Sequence, residues 1–133
     1  MKNLVMDHYR NPRNTADLSA LSNDHQYENP SCGDWIRLKI VKEHDIITDI
    51  RFQGEGCSLS IAAASMLTES LSGKPVDEAV KFSRDFIRAV TEPDAEFSGN
   101  KWGDLACFSE IRDFPIRQRC VILPFKAFIG ECG

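Results

Sequence analysis

The spacing of apolar residues changes once in the middle of this chain, and that change restricts the fold more than any other feature. Between residues 35 and 52, apolar side chains alternate with polar ones on both sides of a polar turn at residues 43–45. Period two on each side of a short turn predicts an antiparallel hairpin with one apolar face. The next stretch, GEGCSLSIAAASMLTESLSG, places its apolar residues at helical spacing and ends at Gly73, just before Pro75. We therefore expect the hairpin to lead directly into a helix that starts near Cys57.

The remaining segments predict further elements around this hairpin. Residues 4–9 predict a short helix that ends before Asn11 and Pro12, because the residue before a proline avoids helical geometry. Residues 27–30 predict an added strand, and a second long helix is expected from about Pro75. The apolar segment 119–133 predicts a short final helix with Cys120 at or near its start, although Pro124 leaves the first residue of that helix open. Residues 91–103 predict a long surface loop.

Composition excludes several classes of function. The 133 residues contain no repeat and no obvious linker, which predicts a single domain over 1–133. A formal net charge of −4 argues against a nucleic-acid partner, because such binding depends on clustered Lys and Arg. No run of residues has the pattern of a signal peptide or reaches membrane-spanning length, so we expect a cytoplasmic protein with no membrane partner.

The cysteines are the residues that most need a chemical explanation. An odd number of them, without an export signal, disfavours a disulfide framework and favours buried, metal-binding or reactive thiols. Three lie where the backbone favours a thiolate, in a Pro/Gly turn or at a predicted helix start. The five are Cys32, Cys57, Cys107, Cys120 and Cys132, and the three so placed are Cys32, Cys57 and Cys120.

A carboxylate can complete a metal site with these three thiols. Gly33 lets the backbone bend between Cys32 and Asp34, so that both side chains can converge. Three thiolates and one carboxylate suit a tetrahedral zinc ion, or an iron–sulfur cluster with one exchangeable oxygen ligand. The alternative for each residue taken singly is a small buried cysteine, and for Asp34 an acid that stabilises a turn.

Four stretches together resemble the U-type iron–sulfur cluster assembly proteins, the family of IscU, SufU and the NifU N-terminal domain. They are DHYRNPRN (residues 7–14), NPSCGD (29–34), GEGCSLSIAAASMLTE (54–69) and RQRC (117–120). The resemblance implies an α+β fold, a three-stranded antiparallel sheet with helices packed on one face, of the SufE/NifU-like type. It also implies that Cys32, Asp34, Cys57 and Cys120 bind zinc or a nascent cluster.

Two departures favour the SufU branch over the IscU branch. Cys120 follows Cys57 by 63 positions, which is similar to the longer spacing of SufU. The chaperone motif LPPVK and the histidine before the third cysteine, both typical of IscU, are replaced by FPIRQ and Arg119. This branch implies a zinc-dependent sulfurtransferase, in which Arg117 matches an arginine that supports activity.

The mechanism implied by the resemblance begins with a pyridoxal-phosphate-dependent cysteine desulfurase of the SufS kind, which carries a persulfide. Docking displaces Cys32 from zinc, a desulfurase histidine replaces it, and the freed thiolate attacks the outer sulfur. The other three ligands keep the metal, and downstream cluster assembly proteins receive the sulfur. Cys120 remains a rival acceptor, because the third cysteine is the usual acceptor in the IscU branch.

Two other functions stay open at this point. One is a scaffold on which a [2Fe–2S] cluster is assembled and transferred to apo-proteins; the other is a binding module that only activates the desulfurase. The histidines at positions 8, 25 and 44 have no ligand spacing to one another, so a surface or packing role is expected for each. Cys107 is expected in the core and Cys132 as an exposed tail thiol.

Overall fold

The computed structural model describes residues 1–92, 94, 95, 97 and 101–132, apart from the side chain of Asn23. It contains three strands, four α-helices and two 3₁₀ helices in this described part of the chain. Their order is α1 (Lys2–Arg10), a short 3₁₀ helix (Asn23–His25), β1 (Gln26–Asn29), β2 (Asp34–Glu43), β3 (Ile46–Glu55), α2 (Ser58–Leu71), α3 (Val76–Thr91), a long 3₁₀ helix (Gly103–Ile111) and α4 (Pro115–Cys132).

The strands form one antiparallel sheet in the order β1-β2-β3. The predicted alternation places Leu38 opposite Phe52 and Ile40 opposite Ile50, so these residues share a face of the sheet. His44 and Asp45 close the β2–β3 hairpin with positive φ angles of 51° and 61°, the backbone twist that two-residue hairpin turns require. The added strand at 26–29 and the hairpin are both confirmed.

Helix α2 lies at the centre of the molecule. It contacts α1, α4 and β3, and ten of its fourteen residues are buried. The three consecutive alanines 62–64 are fully buried, which lets neighbouring elements approach the helix closely. Helix α2 begins at Ser58, so Cys57 is the residue that caps its N-terminus. The packing of α2 therefore fixes the position of Cys57.

The segment after α3 differs from the predicted surface loop. Residues 93, 96 and 98–100 lie outside the described part of the chain, but Phe97 and Trp102 are buried in the core. Their rings pack against Phe86 on α3 at centroid distances of 5.8 and 5.6 Å. Residues 103–111 then form the long 3₁₀ helix, an element that the sequence pattern did not predict.

The last helix is longer than predicted and begins before Cys120. Pro115 occupies the first helical position, where its missing N–H costs no intrahelical bond, so Cys120 lies in the second turn. Pro124 is inside the helix, and its missing N–H leaves the carbonyl of Cys120 without the usual partner four residues later. The predicted short helix that starts near Cys120 was wrong in its beginning, because Pro115 sets the start.

The end of α4 is fixed to the sheet. Tyr27 on β1 donates a hydrogen bond to Glu131 Oε2 at 2.8 Å, and His25 Nδ1 lies 2.8 Å from the other carboxylate oxygen. Burial, followed by the hydrogen bond with Glu131, raises the pKa of Tyr27 to about 12. Cys132 is partly buried against the core, so the prediction of an exposed tail thiol was wrong.

In the described residues, no helix combines the length and apolarity that a membrane span would need.

Candidate metal centre

The loop between β1 and β2 presents Cys32 and Asp34 at one end of the sheet. Asn29 and Asp34 face each other as the last and first residues of their strands, and the carbonyl of Asn29 accepts the N–H groups of Cys32 and Gly33 at 3.2 and 2.9 Å. Gly33 has a φ of +74°, which a residue without Cβ adopts at little cost. The chain therefore reverses between the two site residues, leaving Cys32 exposed and Asp34 1% exposed.

The start of α2 brings Cys57 to the Asp34 carboxylate. The backbone N–H of Cys57 donates to Asp34 Oδ1 at 2.9 Å, and the Cys57 sulfur lies 3.8 Å from Asp34 Oδ2. Gly56 permits this approach, because a Cβ at that position would overlap the Asp34 carboxylate. The carboxylate thus accepts an N–H that has no partner within the helix, at a helix start, where negative charge is favoured.

Helix α4 supplies the third thiol, that of Cys120. The sulfurs of Cys120 and Cys32 are 3.4 Å apart, well beyond the S–S bond length of about 2.05 Å, and all five cysteines are free. The donor atoms of Cys32, Asp34 and Cys120 all lie within 4.8 Å of one another. Cys57 is outside that mutual group and joins it through its contact with Asp34.

These four donors fit a cation chemically. Burial raises the pKa of the Cys120 thiol, and hydrogen bonds with Asp34, Cys32 and Cys57 raise it further, so the neutral thiol is favoured when no cation is near. Within the described residues, no Lys, Arg or His forms an ion pair with the buried Asp34, and an unpaired buried charge is costly. Tetrahedral zinc with sulfur bonds of about 2.3 Å would place two sulfurs about 3.8 Å apart. The sulfurs of Cys120 and Cys32 are 3.4 Å apart, slightly closer than that.

Sequence reasoning missed one residue that contacts this group, Asn29, and one that contacts the loop carrying Cys32, Arg119. The buried side-chain amide of Asn29 is positioned to donate to the Cys120 sulfur at 3.6 Å, and Arg119 donates to Ser31 Oγ at 3.2 Å across the loop. An asparagine just before a Pro/Gly turn is the signal that could have indicated Asn29. The sequence pattern indicates Arg119 only as the replacement for a histidine.

Arg117 lies beside the donors without touching them. Its guanidinium lies over the Phe114 ring, 4.9 Å from the centroid, and no hydrogen bond or ion pair joins it to the four donors in the described part of the chain. It lines, together with Cys57, Met6 and Val5, a mostly apolar cavity of about 410 Å³. The structure therefore brings three of the four predicted ligands into one group, with Cys57 beside it through Asp34, and leaves the predicted catalytic Arg117 at the rim of the site.

An α+β fold that gathers three thiols and a carboxylate at one end of its sheet defines a small protein with a candidate metal centre rich in cysteine. Residues 1–121 match the model of the NifU-like N terminal domain, and the chain belongs to that family. The resemblance drawn from the four sequence stretches is confirmed.

Named relatives come from both branches. The zinc-dependent sulfurtransferase SufU of Bacillus subtilis (strain 168) is 38% identical over 129 residues, covering 95% of this chain and 84% of that protein. The iron–sulfur cluster assembly scaffold protein IscU of Aquifex aeolicus (strain VF5) is 42% identical over 81 residues, covering 59% of this chain and 52% of that protein. A crystal structure from Fervidobacterium islandicum AW-1, described as a cluster assembly scaffold for the SUF system, superposes with a TM-score of 0.82 at 27% identity and covers 96% of this chain and 93% of its own.

Proposed function

We propose that this chain is an iron–sulfur cluster assembly protein that acts as a zinc-dependent sulfur acceptor, taking persulfide sulfur from a pyridoxal-phosphate-dependent cysteine desulfurase. The observation that carries the proposal is the unequal exposure of the site thiols. Cys32 is exposed at the loop tip, Cys57 is partly buried and Cys120 is buried. A sulfur held on another protein can therefore reach Cys32 most directly, which favours it over Cys120 as acceptor.

The transfer step uses the Cys32 sulfur as nucleophile. Its thiolate attacks the outer sulfur of the desulfurase persulfide, the new S–S bond forms on Cys32, and the old S–S bond breaks. The electron pair of the broken bond leaves on the desulfurase cysteine, which becomes a thiolate. Sulfur changes carrier without net oxidation or reduction, so the step needs no further reagent.

The other three ligands have a holding role. Asp34, Cys57 and Cys120 would bind zinc, which when bound supplies the positive charge that keeps neighbouring thiols deprotonated. Their side chains are buried or partly buried. The Cys57 N–H donates to Asp34, the Asn29 amide is positioned to donate to Cys120, and the Cys57 sulfur contacts the Asp34 carboxylate. Arg117 is proposed to act at the rim, where its charge faces an arriving partner rather than the metal ligands.

A cluster scaffold is the second candidate. Three thiols and a carboxylate also suit a [2Fe–2S] cluster, and the Aquifex aeolicus relative carries the name of a scaffold. In this case iron and sulfide are the cargo assembled on the same four residues. Reconstitution with iron and sulfide, followed by transfer of the cluster to an apo-ferredoxin, would distinguish this function from sulfur transfer alone.

The first test follows sulfur onto the chain. Zinc-loaded protein is mixed with a cysteine desulfurase and L-cysteine, and the added sulfur atom is located by mass spectrometry of the intact chain and its peptides. We expect a persulfide on Cys32 in the wild type and background levels in Cys32→Ser, because the nucleophile is gone. Zinc content is measured on each sample so that loss of metal is separated from loss of the acceptor.

Cys107→Ser is the matched control. This thiol is partly buried beside the core, and burial raises its pKa to about 11, so its removal should leave the rate of persulfide formation unchanged. A Cys32→Ser protein that still gained sulfur at the wild-type rate would refute Cys32 as the acceptor.

A further inference from the structure

A second group of potential metal ligands lies on another part of the molecule. It joins His8 on α1, Glu69 on α2 and Asp104 in the long 3₁₀ helix, and their donor atoms lie within 4.8 Å of one another. Glu69 is twelve residues after Cys57 along α2, a rise of about 18 Å, so this group does not share ligands with the cysteine centre. The function proposed above does not use it.

The imidazole of His8 is oriented by its surroundings. The side chain is 1% exposed, and Nδ1 lies 2.8 Å from the buried hydroxyl of Ser65. Ser65 Oγ also accepts the backbone N–H of Arg13 at 2.9 Å, and its two lone pairs can accept both donors. With Nδ1–H donating to Ser65, the lone pair of Nε2 is directed toward the two carboxylates.

The distances from His8 Nε2 to the two carboxylates include one long hydrogen bond, to Asp104, and are compatible with ligands of a shared ion. His8 Nε2 is 3.4 Å from Asp104 Oδ2 and 3.8 Å from Glu69 Oε1, whereas charge-assisted N–H···O bonds are about 2.7–2.9 Å. A tetrahedral ion with bonds of about 2.1 Å would hold its nitrogen and oxygen ligands about 3.4 Å apart. The observed spacing therefore leaves room for an ion between the three groups.

Access and charge also favour a cation. Glu69 and Asp104 are about half exposed, and with Met66 and Ser70 they line a surface cleft of about 250 Å³. The nearby cation Arg13 forms its ion pair with Asp7 at 2.6 Å, and its charge acts on Glu69 and Asp104 without an ion pair to either. A divalent ion would balance the two remaining carboxylates, and water could fill the open coordination position on the cleft side.

We propose that His8, Glu69 and Asp104 form a second site for a divalent first-row transition ion, held by one imidazole nitrogen and two carboxylate oxygens. The imidazole nitrogen favours zinc or iron(II) over calcium or magnesium, which take oxygen ligands. The ion would join α1, α2 and the long 3₁₀ helix, because each of the three elements supplies one ligand. Its physical effect is to hold the 3₁₀ helix onto the helix pair.

Zinc itself is the probe for this site. Reduced protein is titrated with Zn²⁺ in competition with a chromophoric chelator, and two binding events per chain are expected. Glu69→Gln and Asp104→Asn should each weaken the lower-affinity event by more than about tenfold, because each removes a charged ligand. The double variant Cys32→Ser, Cys57→Ser should lose the tighter event and keep the weaker one.

Controls separate this site from general effects of charge. Glu43→Gln removes an exposed carboxylate at the far end of β2 and should leave both events unchanged.

Ser65→Ala tests the group that orients His8. It should weaken the second event about ten- to a hundredfold, as loss of a group that orients a ligand does. With Co²⁺ as a second probe, the second equivalent should add no sulfur-to-metal charge-transfer absorbance.

The substituted carboxylates are exposed, so we expect both variants to fold, and thermal unfolding of the metal-free proteins checks this. A single zinc event in the wild type would overturn the proposal. So would a second event that survives both Glu69→Gln and Asp104→Asn at full affinity.

Discussion

At the scale of single residues, the four donors of the metal centre have different environments and therefore different roles. Cys32 is exposed at the tip of its loop, which suits a thiol that must meet another protein. Asp34 and Cys120 are buried, which suits ligands that retain a metal. The family resemblance already implied this division of roles, and the burial of the four residues agrees with it.

The effect of Asp34→Asn on stability should have opposite signs in the metal-free and the zinc-bound protein. In the metal-free protein the buried Asp34 carboxylate has no ion-pair partner among the described residues, and Asp34→Asn removes the charge while its amide oxygen can still accept the Cys57 N–H. We expect the metal-free variant to be more stable than the metal-free wild type by about 1 kcal/mol, or about 3 °C in Tm. With zinc the order should reverse, because the variant binds the ion more than about tenfold more weakly.

Calorimetry with and without a chelator measures both halves of this prediction. Asp113→Asn, an exposed acid just before α4, serves as the control and should shift neither Tm by more than a degree or so. A variant that is less stable than the wild type in both states would contradict the metal-dependent sign and assign Asp34 a purely structural role.

At the scale of elements, the centre depends on how the β1–β2 loop meets the start of α2. Gly56 is the residue at this junction, with its Cα against the Asp34 carboxylate and a φ of +153°. The helix start and the strand start can approach only because no side chain stands between them. A change at this glycine should therefore affect the metal centre before it affects the sheet.

Gly56→Ala should weaken zinc binding by more than about tenfold, because the new Cβ must displace Asp34 from its hydrogen bond with Cys57. Gly73→Ala is the matched control, since Gly73 also has a positive φ, +85°, but has no atom within 4 Å of an added Cβ. The control should lose about 1 kcal/mol of stability and keep its zinc affinity. Equal zinc affinities in the two variants would contradict the proposed role of Gly56.

At the scale of the whole molecule, the aromatic cluster around Phe86 holds the second half of the chain together. The Phe86 ring packs on Phe125 of α4, with 4.3 Å between the ring centroids, and on Phe108 of the long 3₁₀ helix, with 6.4 Å between them. The same helix α4 carries Cys120 one turn and a half before Phe125. Global stability and the position of the third thiol are thus linked through one helix.

Phe86→Ala should lower the free energy of unfolding by about 3–5 kcal/mol, because the fully buried ring leaves a cavity. Urea denaturation followed by circular dichroism measures the change. Ile116→Ala, at a side chain that is 62% exposed, is the control and should change stability by less than about 0.5 kcal/mol. A loss below about 1 kcal/mol in Phe86→Ala would show that the cluster contributes little to the stability of the fold.

The sequence by itself determined the hairpin, the two central helices and the identity of the four candidate ligands. Alternation and helical spacing report local backbone geometry, and the family stretches mark the ligand positions directly. It missed the long 3₁₀ helix and the true start of α4, where Pro115 rather than the apolar run sets the first turn.

Only the tertiary structure decided which thiol is exposed, which glycine admits the Asp34 carboxylate, and which residues surround His8. The contacts of His8 with Ser65 and Asp104 join residues 57 and 96 positions apart. Such contacts depend on the packing of distant elements, and a local pattern of apolar and polar residues contains no information about that packing.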